Sequence, residues 1–291
     1  MSVSDLHDAV LDWYAEAQRD LPWRRPDCSP WGVFVSEVML QQTPVVRVLP
    51  VWEEWMARWP TPADLAGVAS GEAVRAWGRL GYPRRALRLH AAATAMVERH
   101  DGEVPSNLVD LQALPGVGTY TAAAVAAFAF GIRVPVVDTN VRRVHARAVT
   151  GVEHPAPSLT RAESDLAASL LPDSESEARL WNVGVMELGA LVCTARGPRC
   201  DDCPLLGRCA WVLAGRPAYD GPPRRGQKWA GTDRQVRGRI VQLLRESDEP
   251  VSRAEVEKVW SDEIQRERCL DGLVADGLVE PMSDNRFRLP A

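Results

Sequence analysis

Apolar residues recur at helical spacing along most of the first 210 positions. Leu6, Val10, Leu11, Tyr14 and Ala17 form one apolar stripe, and Pro22 sets the limit of that helix. Further periodic segments lie near 32–42, 44–58, 62–67, 70–79, 84–99, 106–113 and 119–130, separated by Pro, Gly or Asp. Strand signals are few. Val134–Val137 is mostly β-branched, but it is short and Pro135 interrupts it. No 20–50-residue repeat is visible, so a solenoid is disfavoured.

The pattern changes at Gly215–Gly231, GRPAYDGPPRRGQKWAG, which has no apolar period and reads as an extended basic linker. Beyond it, Val236, Ile240, Leu243 and Leu244 mark a helix, and Ser252 is placed to cap a second starting near Arg253. Ile264, Leu270, Leu273 and Val274 mark a third. Short strands are expected at Leu278–Glu280 and Phe287–Leu289, with the bend at Asp284–Asn285. Three helices and a hairpin suggest a winged-helix module, a design used for DNA binding and nearly as often for protein contacts.

The 291 residues are 46% hydrophobic and 25% charged, within the range of ordinary globular proteins and enough for about two domains. No apolar run approaches a membrane span, and the N-terminus lacks the basic and apolar regions of a secretory leader, so a cytoplasmic location is expected. The formal charge of −5 argues weakly against a nucleic-acid partner. The basic residues are unevenly spread, however. Arg79, Arg84, Arg85 and Arg88 lie together without an acid. From 210 to 245, eight basic residues (Arg216, Arg224, Arg225, Lys228, Arg234, Arg237, Arg239 and Arg245) face only Asp220 and Asp233. Two such stretches fit a ligand gripped on one face, and a solvated arginine-rich surface fits either alone equally well.

Six cysteines in such a chain are not expected to form disulfides. Cys193, Cys200, Cys203 and Cys209 are spaced C-x6-C-x2-C-x5-C, four potential thiolate ligands within 17 residues. Zinc sites more often use two close pairs separated by a longer span, so one compact run suits a cubane iron–sulfur cluster better. Cys28 and Cys269 stand alone and read as ordinary thiols. Upstream, Leu114-Pro115-Gly116-Val117-Gly118 separates two helical segments. Its glycines allow a tight turn and close backbone approach, and the following helix start offers N–H groups to an anion.

Together the cysteine run and this hairpin resemble the endonuclease III superfamily of helix-hairpin-helix DNA glycosylases. That resemblance implies a structural [4Fe-4S] cluster on the four cysteines. It implies a backbone grip on DNA at Gly116 and Gly118, and a basic loop bearing Arg196, Arg199 and Arg208. Where bifunctional members carry the lysine that attacks the sugar, this chain has Tyr120. A phenol forms no Schiff base, so a monofunctional enzyme is expected. Asp138, in PVVDTNV, matches the superfamily's catalytic aspartate, although a helix N-cap is an equally good reading of the residue by itself. Cleaving an N-glycosidic bond builds positive charge at C1′ and the ring oxygen, which a carboxylate there would stabilise.

The stretch Ser36-Glu37-Val38-Met39-Leu40-Gln41-Gln42-Thr43 resembles the adenine-excising MutY family. Its glutamate, here Glu37, protonates the leaving adenine at N7. The apolar residues after Glu37 are expected to desolvate it and raise its pKa. The same resemblance implies that Trp23, Arg24 and Glu187 line an adenine pocket. Tyr120 and Asn140 would hold the acid and the aspartate, and Gln42 and Tyr82 would fill the duplex space left by a flipped base. For Trp23 core packing is the stronger reading, and most of the eleven tryptophans should be core.

The match covers roughly residues 8–212. Gly81-Tyr82-Pro83 stands where relatives often have Gly-Tyr-Tyr, implying a stiffer loop. The segment 233–291 is too short and too helical for the Nudix-like domain that reads 8-oxoguanine in longer members. The expected architecture is all-α, with a six-helix barrel lobe at 23–134 and a cluster lobe formed by 1–22 and 135–212. A linker at 213–232 would lead to a winged-helix-like module at 233–291. The expected activity is release of adenine mispaired with 8-oxoguanine or guanine in double-stranded DNA, by a monomeric, nucleoid-associated enzyme. A thymine or uracil mismatch glycosylase and a non-catalytic iron–sulfur DNA-binding regulator are the alternatives. Glu37 weighs against the first, and Glu37, Tyr120 and Asp138 together weigh against the second.

Overall fold

The computed structural model describes residues 3–221 and 229–291. Residues 222–228, with Arg224, Arg225 and Lys228 of the expected linker, lie outside the described residues. The helices are α1 (Val3–Ala17), α2 (Pro30–Leu40), α3 (Val45–Arg58), α4 (Pro62–Ala66), α5 (Ser70–Ala76), α6 (Arg84–Arg99), α7 (Leu108–Ala113) and α8 (Thr119–Phe130). They continue with α9 (Thr139–His145), α10 (Arg161–Ser169), α11 (Glu175–Leu191) and the single turn α12 (Ala210–Leu213). The C-terminal part holds α13 (Asp233–Glu246), β1 (Val251–Ser252), α14 (Arg253–Glu257), α15 (Glu263–Ala275), β2 (Glu280–Pro281) and β3 (Arg286–Arg288). The helical segments read from the apolar period agree with these bounds to within a few residues.

The chain divides into two compact units. The first comprises the described residues within Met1–Val33, Ser106–Leu108 and Gly118–Pro223. Its core joins Leu6 and Val10 of α1, Val141 and Val144 of α9, and Trp181, Val185 and Leu188 of α11. Helix α8 is apolar all round, as a helix enclosed on every side must be, and Ala122–Ala127 are all buried. The segment Val134–Val137 forms no strand. Two of its backbone groups are met instead by one side chain, as Asn182 accepts from Val136 N–H (3.0 Å) and donates to Val134 O (2.9 Å), pairing an extended segment that has no sheet partner. Helix α9 runs on into a π-helical turn, Ala146–Thr150, which ends at Gly151 in the left-handed conformation (φ 75°).

The second unit comprises Phe34–Pro105, Val109–Val117 and the described residues of Arg224–Ala291. Trp55 and Trp77 are fully buried and meet edge-to-face at 5.7 Å. Eight of the eleven tryptophans are buried; Trp229 is 51% exposed. The C-terminal part has the winged-helix order helix, strand, two helices, hairpin, with an antiparallel sheet ordered β1-β3-β2. Ser252 caps α14 in a reciprocal box with Glu255, and Asn285 turns the hairpin at φ 58°. The hairpin strands lie at Glu280–Pro281 and Arg286–Arg288 where 278–280 and 287–289 were expected, and the two-residue β1 pairs with β3 without a sequence signal of its own. Ile264, which helps to mark α15 in the sequence, is 78% exposed.

Candidate active site

Asp138 is the N-cap of α9, so the plain structural reading of this residue holds. Its Oδ1 accepts the Val141 N–H at 2.7 Å, and its Oδ2 accepts the Asn140 side-chain amide at 2.8 Å. Both bonds reach it as an acceptor, the role of a carboxylate. Burial pushes its pKa up, opposed by those bonds and by the charge of Arg143. Arg143 fixes the other end of the amide, donating to Asn140 Oδ1 at 2.8 Å, Gly189 O at 2.7 Å and Cys193 O at 2.7 Å. A chain of hydrogen bonds thus runs from the Asp138 carboxylate to the backbone of Cys193, the first cysteine of the run. Tyr120, on α8, is half-buried and packs against the cluster of Ala123, Ala124, Ala127 and Val136, the last of these in the segment that leads to Asp138.

Glu187, on α11, is completely buried. Arg19 grips it through two nitrogens (2.7 and 2.6 Å), and Arg24 reaches Oε2 at 2.8 Å. Burial pushes its pKa up, but the two guanidinium groups more than offset this and hold it at about 2. Trp23, in a short 3-10 turn at Pro22–Arg24, is buried as well. Arg19 carried no sequence signal; only the fold brings it to Glu187.

In the second unit, Glu37 is buried within α2. Gln42 and Tyr82 follow α2 and precede α6, and both have left-handed backbones, at φ 57° and 48°. This conformation is unusual for residues with side chains and is found where surrounding structure imposes it. Arg85 imposes it here. This buried guanidinium donates to Val38 O (3.0 Å), Met39 O (3.0 Å), Gln41 O (2.6 Å), Thr43 Oγ1 (3.0 Å) and Gly81 O (3.0 Å). It ties the end of the Glu37 helix to the Tyr82 loop. Arg85 was expected in a solvent-facing basic stretch. Desolvation instead lowers its pKa to about 10, which leaves it charged at neutral pH. Gly116 takes φ 79°, and an added Cβ would lie 2.7 Å from Arg88 Cβ. Gly118, by contrast, has an ordinary φ of −94° and is exposed, with nothing within 4 Å of an added Cβ. Its glycine serves no packing need among the described residues.

Residues 35–168 match the HhH-GPD superfamily of base excision DNA repair proteins. Over 283 residues the chain is 56% identical to an adenine DNA glycosylase of Mycobacterium tuberculosis, covering 97% of this chain and 92% of the relative. The corresponding protein of Mycolicibacterium smegmatis is 53% identical over 290 residues, 99% and 97% of the two chains. The chain belongs to the adenine DNA glycosylase family. A thermostable thymine-DNA glycosylase shares its fold, with a TM-score of 0.66 and 27% identity, over 73% of this chain and 97% of that one. The chain is accordingly a base-excision DNA glycosylase, a hydrolase of N-glycosyl bonds. No described helix is long and apolar enough to cross a membrane.

For this glycosylase the cysteine run is next in importance. Cys193, Cys200, Cys203 and Cys209 line one pocket together with Arg147 and Trp211, and no cysteine is in a disulfide. No described group of three or more His, Cys, Asp or Glu residues is assembled as a metal site. The donor set nonetheless fits a thiolate-bound cluster. Arg147, on the π-helical turn, is 1% exposed and donates to Cys193 Sγ at 3.4 Å. Its Nη2 is buried with no hydrogen-bond partner among the described residues. A buried cation with an unspent donor beside four thiols is what an anionic cluster needs. Burial pushes the Cys203 thiol up to about 11.

The expected basic footprint is only partly superficial. Arg196, Arg199 and Arg208, within the cysteine run, are exposed, as are Arg79, Arg84 and Arg88. Arg245 is drawn inward, donating to Val74 O at 2.8 Å, and burial lowers its pKa to about 10.

Proposed function

We propose that this glycosylase hydrolyses the N-glycosidic bond of adenine mispaired with 8-oxoguanine or guanine in duplex DNA. It leaves an abasic site in an intact strand and acts as a monomer. The Asp138–Asn140–Arg143 arrangement carries the reading, because a carboxylate fixed on both oxygens by donors is preorganised to face a developing cation.

In this reading the Glu37 carboxyl gives its proton to the adenine ring, and the C1′–N bond breaks with its electron pair leaving on the base. Asp138 stabilises the positive charge on C1′ and the ring oxygen. Water adds to C1′, and its proton passes to the Glu37 carboxylate, restoring the acid. Glu187 holds Arg24 at the adenine, and Trp23 supplies an apolar wall. Tyr120 and Asn140 position the acid and the aspartate, and Gln42 and Tyr82 enter the duplex. Gly116, Gly118 and the start of α8 grip phosphate through the backbone. The four cysteines hold a [4Fe-4S] cluster that orders the loop bearing Arg196, Arg199 and Arg208, and the chemistry does not use it.

Glu37→Gln tests the roles directly. The variant should bind mismatch duplex like the wild type and release no adenine in single-turnover assays. Release at the wild-type rate would remove Glu37 from the reaction.

A further inference from the structure

Tyr82 has two features that core packing does not account for, a left-handed backbone and 40% exposure of a large ring. A third lies in the C-terminal module. The Arg234 guanidinium, in the first turn of α13, sits 4.3 Å from the centre of the Tyr82 ring and 5.3 Å from that of Trp229. One exposed arginine thus lies over two exposed aromatic rings, one from each side of a long sequence gap.

The module is held there by close docking on α5 and the start of α6. Gly71 N–H donates to Pro290 O at 2.8 Å, and a Cβ on Gly71 would stand 2.4 Å from that oxygen and 2.9 Å from Leu289 Cβ. Arg75 reaches Ser247 O at 3.0 Å, Arg245 reaches Val74 O at 2.8 Å, and Arg84 pairs with Asp276 at 3.1 Å. Bonds to backbone carbonyls in both directions make this a fixed seat, not a tether. The consequence is that Arg234 and Trp229 are presented wherever Tyr82 acts.

We propose that Tyr82, Arg234 and Trp229 form a stacking platform for the nucleobase left unpaired in the strand opposite the excised adenine, with Arg234 as its specificity-determining member. The inference rests on the reading of Tyr82 as a residue that enters DNA. Aromatic rings and a guanidinium plane are the surfaces on which unpaired bases stack, and the guanidinium edge adds hydrogen-bond donors for a purine. The module thereby takes a share in reading the opposite base.

The test is the affinity of the full-length protein for duplexes carrying a reduced abasic-site analogue opposite 8-oxoguanine, opposite guanine, or opposite a second abasic analogue. Arg234→Ala should bind the first two about fivefold to tenfold more weakly, the low end of the range for losing a stacked base. The doubly abasic duplex should be affected less than twofold. Gly71→Val, which unseats the module at Leu289 and Pro290, should reproduce that pattern. In a Tyr82→Leu background Arg234→Ala should add nothing. Equal weakening for all three duplexes would make Arg234 a phosphate contact and overturn the proposal, as would no change. If the wild type releases no adenine from any mismatch, it is the proposed function that fails, a result read in a separate assay.

Discussion

Replacing Arg85 by methionine probes the joint between the Glu37 helix and the Tyr82 loop. The guanidinium serves four backbone carbonyls and one hydroxyl at 3.0 Å or less, all within the second unit. Methionine fills much of the volume but takes away the Arg85 donor from Val38 O and Met39 O, while Gly81 O keeps Trp77 Nε1 (2.9 Å) and Gln41 O keeps Thr43 Oγ1 (3.3 Å). Each buried acceptor left unmet costs about 1–3 kcal/mol, and relaxation and water entry make the total less than additive, so a loss of about 2–4 kcal/mol is expected. That would rank among the larger single-substitution effects. Arg85→Lys keeps the charge but has three donors without the planar fork, and should fall between. Urea unfolding measures the effect, with the midpoint falling and the slope unchanged. Under conditions where the variant is still folded, single-turnover adenine release should drop more than tenfold, because Gln42 and Tyr82 lose their imposed backbones. A methionine variant within 1 kcal/mol of wild type would refute the claim that this guanidinium organises the site.

An added methyl in Gly189→Ala would stand 2.7 Å from Asn140 Cβ and 2.9 Å from Asn140 O, displacing the start of α9. Adenine release should fall at least tenfold while the melting temperature moves by only a few degrees. Glu187 is held at about 2, below its ordinary unfolded value of about 4.5, so it stabilises the fold above that value and its contribution is lost as pH falls toward 2. One unit below the unfolded value the wild type should have lost about 1.4 kcal/mol of it, and urea titrations of Glu187→Gln, which has no such carboxylate, should show a correspondingly shallower dependence from pH 5.5 to 3.5. Arg147→Leu removes the buried cation that donates to Cys193 Sγ. The variant should retain less visible iron–sulfur absorbance after purification and lose it faster under chelator than wild type.

Short-range signals were legible and long-range pairings were not. The helices as far as Phe130, the Ser252 cap and the hairpin at Asn285 are written in apolar period, capping chemistry and turn residues, all local properties. Val134–Val137, a short β-branched run that Pro135 interrupts, forms no strand, and Asn182, 46 positions from Val136, takes the place of a strand partner. The candidate residues themselves could be named from motifs, but the groups that hold them could not. Arg19 meets Glu187 across 168 positions, and Arg85 meets Val38 across 47. An arginine in a basic run looks the same whether it faces water or five buried acceptors. The seat of the C-terminal module on α5 was hidden for the same reason, since Gly71 carries no side chain to advertise it.

A monofunctional mismatch adenine glycosylase leaves a distinctive pattern of strand breaks across a set of mismatched duplexes. Purified protein in excess would be mixed with end-labelled duplexes carrying adenine opposite 8-oxoguanine, adenine opposite guanine, adenine opposite thymine, and thymine opposite guanine. Half of each sample would then be heated in alkali. Strand breaks that appear only after alkali, and only in the first two duplexes, are the predicted result. Breaks in the thymine–guanine duplex, or cleavage of adenine opposite thymine as fast as opposite guanine, would contradict it.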